Sequence, residues 1–133
     1  MGRDRRAARR APGAREGLHP ERVPGAEHAE IPPGKIAYLL ESPGKRRFFH
    51  EILAFDERTA SDLERQLVEG LPHVSGRFAF VNPAGRPQWV ALMEIAGPTR
   101  TAMVFTVWQL LEPARPALGT ARPVKRKDRL LFE

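Results

Sequence analysis

Gln88-Trp89-Val90-Ala91-Leu92-Met93-Glu94-Ile95-Ala96 runs through Gly97-Pro98-Thr99-Arg100 into Thr101-Ala102-Met103-Val104-Phe105-Thr106-Val107-Trp108-Gln109-Leu110-Leu111. Two stretches rich in β-branched and aromatic residues, joined by Gly-Pro turn chemistry, predict an antiparallel hairpin. A two- or four-residue turn over 97–100 sets Trp89 opposite Trp108, Ala91 opposite Thr106 and Met93 opposite Val104. In that register Val90, Leu92, Phe105 and Val107 form one face, the better surface for packing helices. Trp89, Thr106 and Trp108 then lie on the other, more open face. A three-residue turn would exchange the two faces, because strand side chains repeat every second residue.

The neighbouring sequence extends the hairpin into a sheet. Phe78 and Phe80 alternate after Arg77, and Asn82-Pro83-Ala84-Gly85 marks a turn before Gln88. Pro113 and Pro116 bound a loop that leads to a short last strand, Leu118 to Arg122. Sequential strands with short connections predict a four-stranded antiparallel meander.

Upstream the period changes from two to 3.6. Ile36, Leu39 and Leu40 mark one face of a brief helix that Pro43-Gly44 ends. A second helix is expected over Lys45 to Ala54, with Phe48, Phe49, Ile52 and Leu53 on one arc. Thr59 or Ser61 can cap a third, whose arc is Ala60, Leu63, Leu67, Val68 and Leu71 and which Gly70 and Pro72 stop. Helices first and strands afterwards give an α+β class, about three N-terminal helices on one face of the sheet.

Length allows one domain plus ends, expected as residues 1–30, 31–123 and 124–133. The first part carries many prolines and arginines and few aliphatics, and is expected to be disordered. The last, with Lys125 to Arg129, is expected to be a basic tail. The formal net charge of +6 is steepest in these two ends, and such runs favour polyanions by counterion release. Absence of cysteine excludes disulfides and thiolate metal sites and fits a reducing cytosol. No apolar run approaches the length of a membrane helix, and Met1 to Arg15 lacks the apolar segment of a secretory signal. A cytoplasmic location without membrane association is the expectation.

Several side chains are candidates for chemistry. Lys45 projects within the arc of Phe48, Phe49 and Ile52, so its ammonium either reaches solvent from the first turn or enters a cleft between helix and sheet, where it could clamp a phosphate. His50 lies on the polar side of that helix and is a candidate base near neutrality. An even register after the 112–117 loop would bring Thr106 opposite Arg122 and Trp108 opposite Thr120. Two hydroxyls, a guanidinium and an aromatic surface could then grip phosphate and stack a base, although threonine and arginine are also ordinary strand residues. Trp89 and Trp108 are candidate base-stacking residues or simple cross-strand packing. The histidines lack ligand spacing and no acidic cluster accompanies them, so no metal or cofactor is expected.

Lys35-Ile36 with Tyr38-Leu39-Leu40, Gly44-Lys45, Phe48-Phe49, Leu53-Ala54-Phe55, Thr106-Val107-Trp108 and Leu118-Gly119-Thr120-Ala121-Arg122-Pro123 occur in the order of a small uncharacterised bacterial domain family, which the chain resembles from about Ile31 to Pro123. Ala54 stands where that family usually has glycine, and Gly119 where it usually has a branched aliphatic. The family in turn resembles, distantly, the fold of barnase, the EndoU nucleases, the tRNA-cutting colicins and the RelE toxins. The resemblance implies metal-independent RNA cleavage by a toxin, with a small antitoxin-like protein from an adjacent gene as partner. Lys45 and Arg122 would hold the scissile phosphate, Thr106 and Thr120 would orient it, and His50 would be the base. The alternative is a non-enzymatic interaction module that binds a partner protein or nucleic acid.

Overall fold

The computed structural model describes residues 17–112 and 114–133. Strands β1 (Gly76–Val81), β2 (Pro87–Ala96), β3 (Thr101–Glu112) and β4 (Arg115–Pro123) form a four-stranded antiparallel sheet in the order β1-β2-β3-β4. The fold is α+β. Trp89 faces Trp108, Ala91 faces Thr106 and Met93 faces Val104, the register read from the sequence. The turn closes with Gly97 N–H donating to Arg100 O at 2.8 Å. A Cβ on Gly97 would lie 2.1 Å from Leu53 O, so the hairpin tip sits directly against the helical layer and only glycine fits.

The assignment of faces is reversed from expectation. Ala91, Met93, Ile95, Val104 and Trp108 join the core cluster with Leu39, Phe49, Leu63 and Leu67 from the helices. Both faces of the hairpin are apolar, so alternation alone carries no preference. The face that takes the helices holds Trp108 and Leu110 together with Met93 and Ile95, and it removes the larger apolar area from water.

Helix α1 (Lys35–Glu41) buries Ile36, Leu39 and Leu40. Helix α2 (Pro43–Arg46) starts with proline in its first turn, where a missing N–H costs nothing, and runs into a π-helical stretch over Arg47–Ile52. Leu53 N–H donates to Phe48 O at 2.9 Å, the five-residue spacing of a π turn. An α-helix over Lys45 to Ala54 was the expectation. The widened turn accompanies the complete burial of Phe49, Leu53 and Phe55. Ala54 ends the stretch at φ 69°, a left-handed conformation that costs a residue with a Cβ about 1–2 kcal/mol.

Helix α3 (Ala60–Gly70) places Leu63 and Leu67 in the core. Thr59 is its N-cap, but its hydroxyl accepts from Asp56 N–H instead of capping the helix. Gln66 clasps the sheet: its amide donates to Ala96 O and accepts from Ala96 N–H, both at 2.8 Å. A buried amide satisfied on both sides fixes α3 over the end of β2.

Both ends of the domain differ from expectation. Within the described residues, 17–30 are not a free tail. Val23 and Ala26 are wholly buried, and Glu30 N–H donates to Pro116 O while Leu118 N–H donates to Glu30 O, both at 3.0 Å. Few aliphatics suffice because backbone bonds to β4 hold the segment in place. The expectation for residues 1–16 lies outside the described residues. At the other end, Arg126–Leu130 forms a short helix, α4, whose Asp128 is buried. One acid within the basic run is enough to anchor it.

Candidate nucleic-acid interface

Lys45 takes the second of its two expected placements. Its side chain crosses from α2 to the sheet, where Nζ donates to Ala121 O at 3.0 Å. Burial lowers its pKa from the ordinary lysine value, and the positive charges of Arg122 and then Lys35 push it the same way. Among the described residues no lysine takes part in an ion pair. The rim of β4 therefore gathers Lys45, Lys35 and Arg122, and exposed Lys125, Arg126, Lys127 and Arg129 follow directly.

The expected group of Thr106, Thr120, Arg122 and Trp108 is split. Arg122 pairs with Phe105, Ala121 with Thr106, Thr120 with Val107, and Leu118 with Trp108, which leaves Gly119 as an extra residue in a bulge. The slip moves Thr120 and Arg122 to the opposite face from Thr106 and Trp108. Thr106 and Trp108 are wholly buried, and neither can reach a substrate. Trp108 Nε1–H donates to Thr106 Oγ1, whose hydroxyl donates to Ala91 O, each at 2.8 Å. The indole and hydroxyl are structural. Trp89 is half-buried with its ring edge-on to Phe78, centroids 5.9 Å apart, so it serves cross-strand packing.

Arg122 is engaged on two sides. Its guanidinium lies 4.1 Å from the centroid of the Phe105 ring and donates to both oxygens of Asp128, at 2.8 and 2.9 Å. Asp128 also accepts from Lys125 N–H at 2.6 Å. The Arg122 bond, ahead of the opposing effect of burial and the Lys125 bond, holds the Asp128 carboxyl below the usual aspartate range.

His50 lies elsewhere. Its Nδ1 is 2.7 Å from Phe55 O, a carbonyl that can only accept, so Nδ1 is the donor in this contact. It lines a pocket of about 250 Å³ with Leu40, Glu41, Arg46, Asp56 and Glu57. The Asp56 carboxylate is committed to the turn before α3, where it accepts from Arg58 and Thr59 N–H. Lys45 and His50 thus serve different surfaces. Glu94 is exposed on its strand. Among the described residues no group of three or more His, Cys, Asp or Glu side chains is placed to hold a metal.

No family model, curated protein or solved structure matches the chain. Function is therefore read from the geometry. Sequence reasoning missed Asp128, Phe105, Lys35 and Arg77, which complete the surroundings of the basic rim and of the second sheet face. Asp128 had a signal of its own, as the lone acid within Lys125 to Arg129. Among the described residues no helix is long and apolar enough to cross a membrane.

Proposed function

We propose that the protein is a non-enzymatic interaction module that binds nucleic acid through the basic rim of β4. The observation that carries this reading is Lys45 Nζ seated on Ala121 O of β4, with the charges of Arg122 and Lys35 near enough to act on it and the exposed cations of the α4 segment next in the chain. Like charges held close together raise the local potential and are relieved by a polyanion. His50 lines a separate pocket and Thr106 is buried, so neither side chain joins this rim. Phosphate contacts by lysine and arginine make affinity fall steeply with salt.

The test is anisotropy titration of labelled twelve-nucleotide RNA and DNA across salt concentrations, beside incubation with total RNA. Binding that weakens linearly on a log–log salt plot, with the RNA left intact, is the expected result. No binding at 50 mM salt would sink the proposal.

One observation favours the second reading, a metal-independent endoribonuclease toxin with a small antitoxin-like partner. His50 presents Nε2 in a pocket that also holds Arg46 and Glu57, a base and a cation in one concavity. Cleavage of total RNA that resists chelator and is lost in His50→Ala would establish it.

A further inference from the structure

The two edge strands of the sheet each present a guanidinium to the C-terminal segment. On β4, Arg122 grips both Asp128 oxygens while stacked on Phe105. On β1, the Arg77 guanidinium lies 5.2 Å from the centroid of the Phe132 ring. Arg77 pairs with Val90 and Arg122 with Phe105, which places both side chains on the second face of the sheet, away from the helices. Segment 125–133 is held by side chains: its backbone hydrogen bonds are all internal, and Leu130 and Leu131 are more than half exposed. A carboxylate clasped by a fork of N–H groups and a ring lying on a guanidinium are the contacts that phosphate and base make. The occupant is named by charge: Arg77 is shared between Glu21 Oε1, at 3.3 Å, and the Phe132 ring, whereas Asp128 is the acid on Arg122, so withdrawal of the segment leaves the Arg122 guanidinium open to another anion.

We propose that the second face of the sheet, between Arg77 and Arg122, is a single-stranded nucleic-acid site that segment 125–133 occupies as an internal ligand. Asp128 stands in for a phosphate and Phe132 for a base. A strand that binds displaces the segment, whose four basic side chains then reinforce the complex from outside. This inference rests on the nucleic-acid reading above and adds to the β4 rim the adjoining sheet face and its control. Base stacking on aromatic and guanidinium planes is tolerant of sequence, so discrimination among bases is weak.

The experiment uses the full chain, with twelve-residue oligo(U) and oligo(dT) as probes. Asp128→Asn removes the internal anion and keeps its shape. Glu64→Gln, an exposed acid on α3, makes the same charge change away from the site. Asp128→Asn is expected to bind at least one of the two polymers about five- to tenfold tighter than wild type, and Glu64→Gln to stay within twofold. The polymer with the larger gain names the source of the phosphate. Hydrogen exchange supplies the check that needs no variant: amides of 125–133 in the wild type are expected to exchange faster once the oligonucleotide is saturating. Wild-type binding with no extra gain in Asp128→Asn, or with exchange of 125–133 unchanged or slowed, overturns this inference alone. No binding by wild type or variant overturns the nucleic-acid reading with it.

Discussion

Trp108 donates its indole N–H to Thr106 Oγ1 at 2.8 Å, and both side chains are closed to solvent. Two residues that look suited to a substrate from their sequence positions instead complete a buried polar relay ending on Ala91 O. Thr106→Val keeps the shape but leaves the indole N–H without a partner, at a cost of about 1–3 kcal/mol. Denaturant melts are expected to show a loss of about 2 kcal/mol or more, and Thr106→Ser is expected to recover most of it. Equal stability of the valine variant and wild type would remove the relay from the list of stabilising contacts.

Lys45 touches the sheet through one hydrogen bond at a half-buried position. Lys45→Ala is expected to change stability by no more than about 1 kcal/mol, the net value of such a bond. Its nucleic-acid affinity should fall several-fold, with the salt slope smaller by about one phosphate contact. Arg47→Ala, an exposed cation on the π-helical stretch, is the comparison. If both variants bind alike, general charge and not the β4 rim governs binding.

Ala54 holds a left-handed backbone at φ 69°. Ala54→Gly relieves a steric cost of about 1–2 kcal/mol and adds roughly 0.5–1 kcal/mol of unfolded-state entropy. A net gain of about 0.5 kcal/mol is expected in the denaturation midpoint. A destabilised glycine variant would mean that the Ala54 methyl contributes more by packing than it costs in strain.

Acid should loosen the C-terminal segment. The Asp128 carboxyl is held below the ordinary aspartate value by Arg122, so between the folded and unfolded pKa values only the unfolded chain binds the proton. Its stabilising contribution is complete above the unfolded value, near 3.8, and is lost as pH falls from there through the folded one. Thermal melts from pH 6 to pH 2.5 are expected to decline less steeply in Asp128→Asn than in wild type. Parallel curves would show that the ion pair has no weight in acid stability.

Removal of residues 1–30 deletes Val23 and Ala26 from the core and uncovers part of β4. Burial of one such aliphatic side chain contributes about 1.5–3 kcal/mol, and 1 kcal/mol moves the midpoint of a domain this size by about 4–8 °C. The truncated protein should therefore melt at least about 10 °C lower. A shift below about 3 °C would return this segment to the status of a tail.

The sequence by itself determined the α+β class and the meander, and the β2–β3 register once the turn is even, because these follow from local patterns. Alternation marks strands, Gly97-Pro98-Thr99-Arg100 marks a turn of four, and that turn sets Trp89 opposite Trp108. Lys45 was legible as lying on the apolar arc, since helical spacing fixes direction, but whether its ammonium ends in solvent or in a helix–sheet cleft was settled by the tertiary structure. Which sheet face the helices cover was decided only in three dimensions. Val90, Leu92, Phe105 and Val107 compete with Met93, Ile95, Val104 and Trp108, and two apolar faces of one hairpin carry no local mark of inside. One bulge at Gly119 then moved Thr120 and Arg122 away from Thr106 and Trp108. Val23 and Asp128 sit in ends whose average composition is that of a tail. Val23 is buried against the distant strand residue Gly76, which no window of neighbouring residues contains, and Asp128 by Arg122 six residues upstream, a pairing that average composition hides.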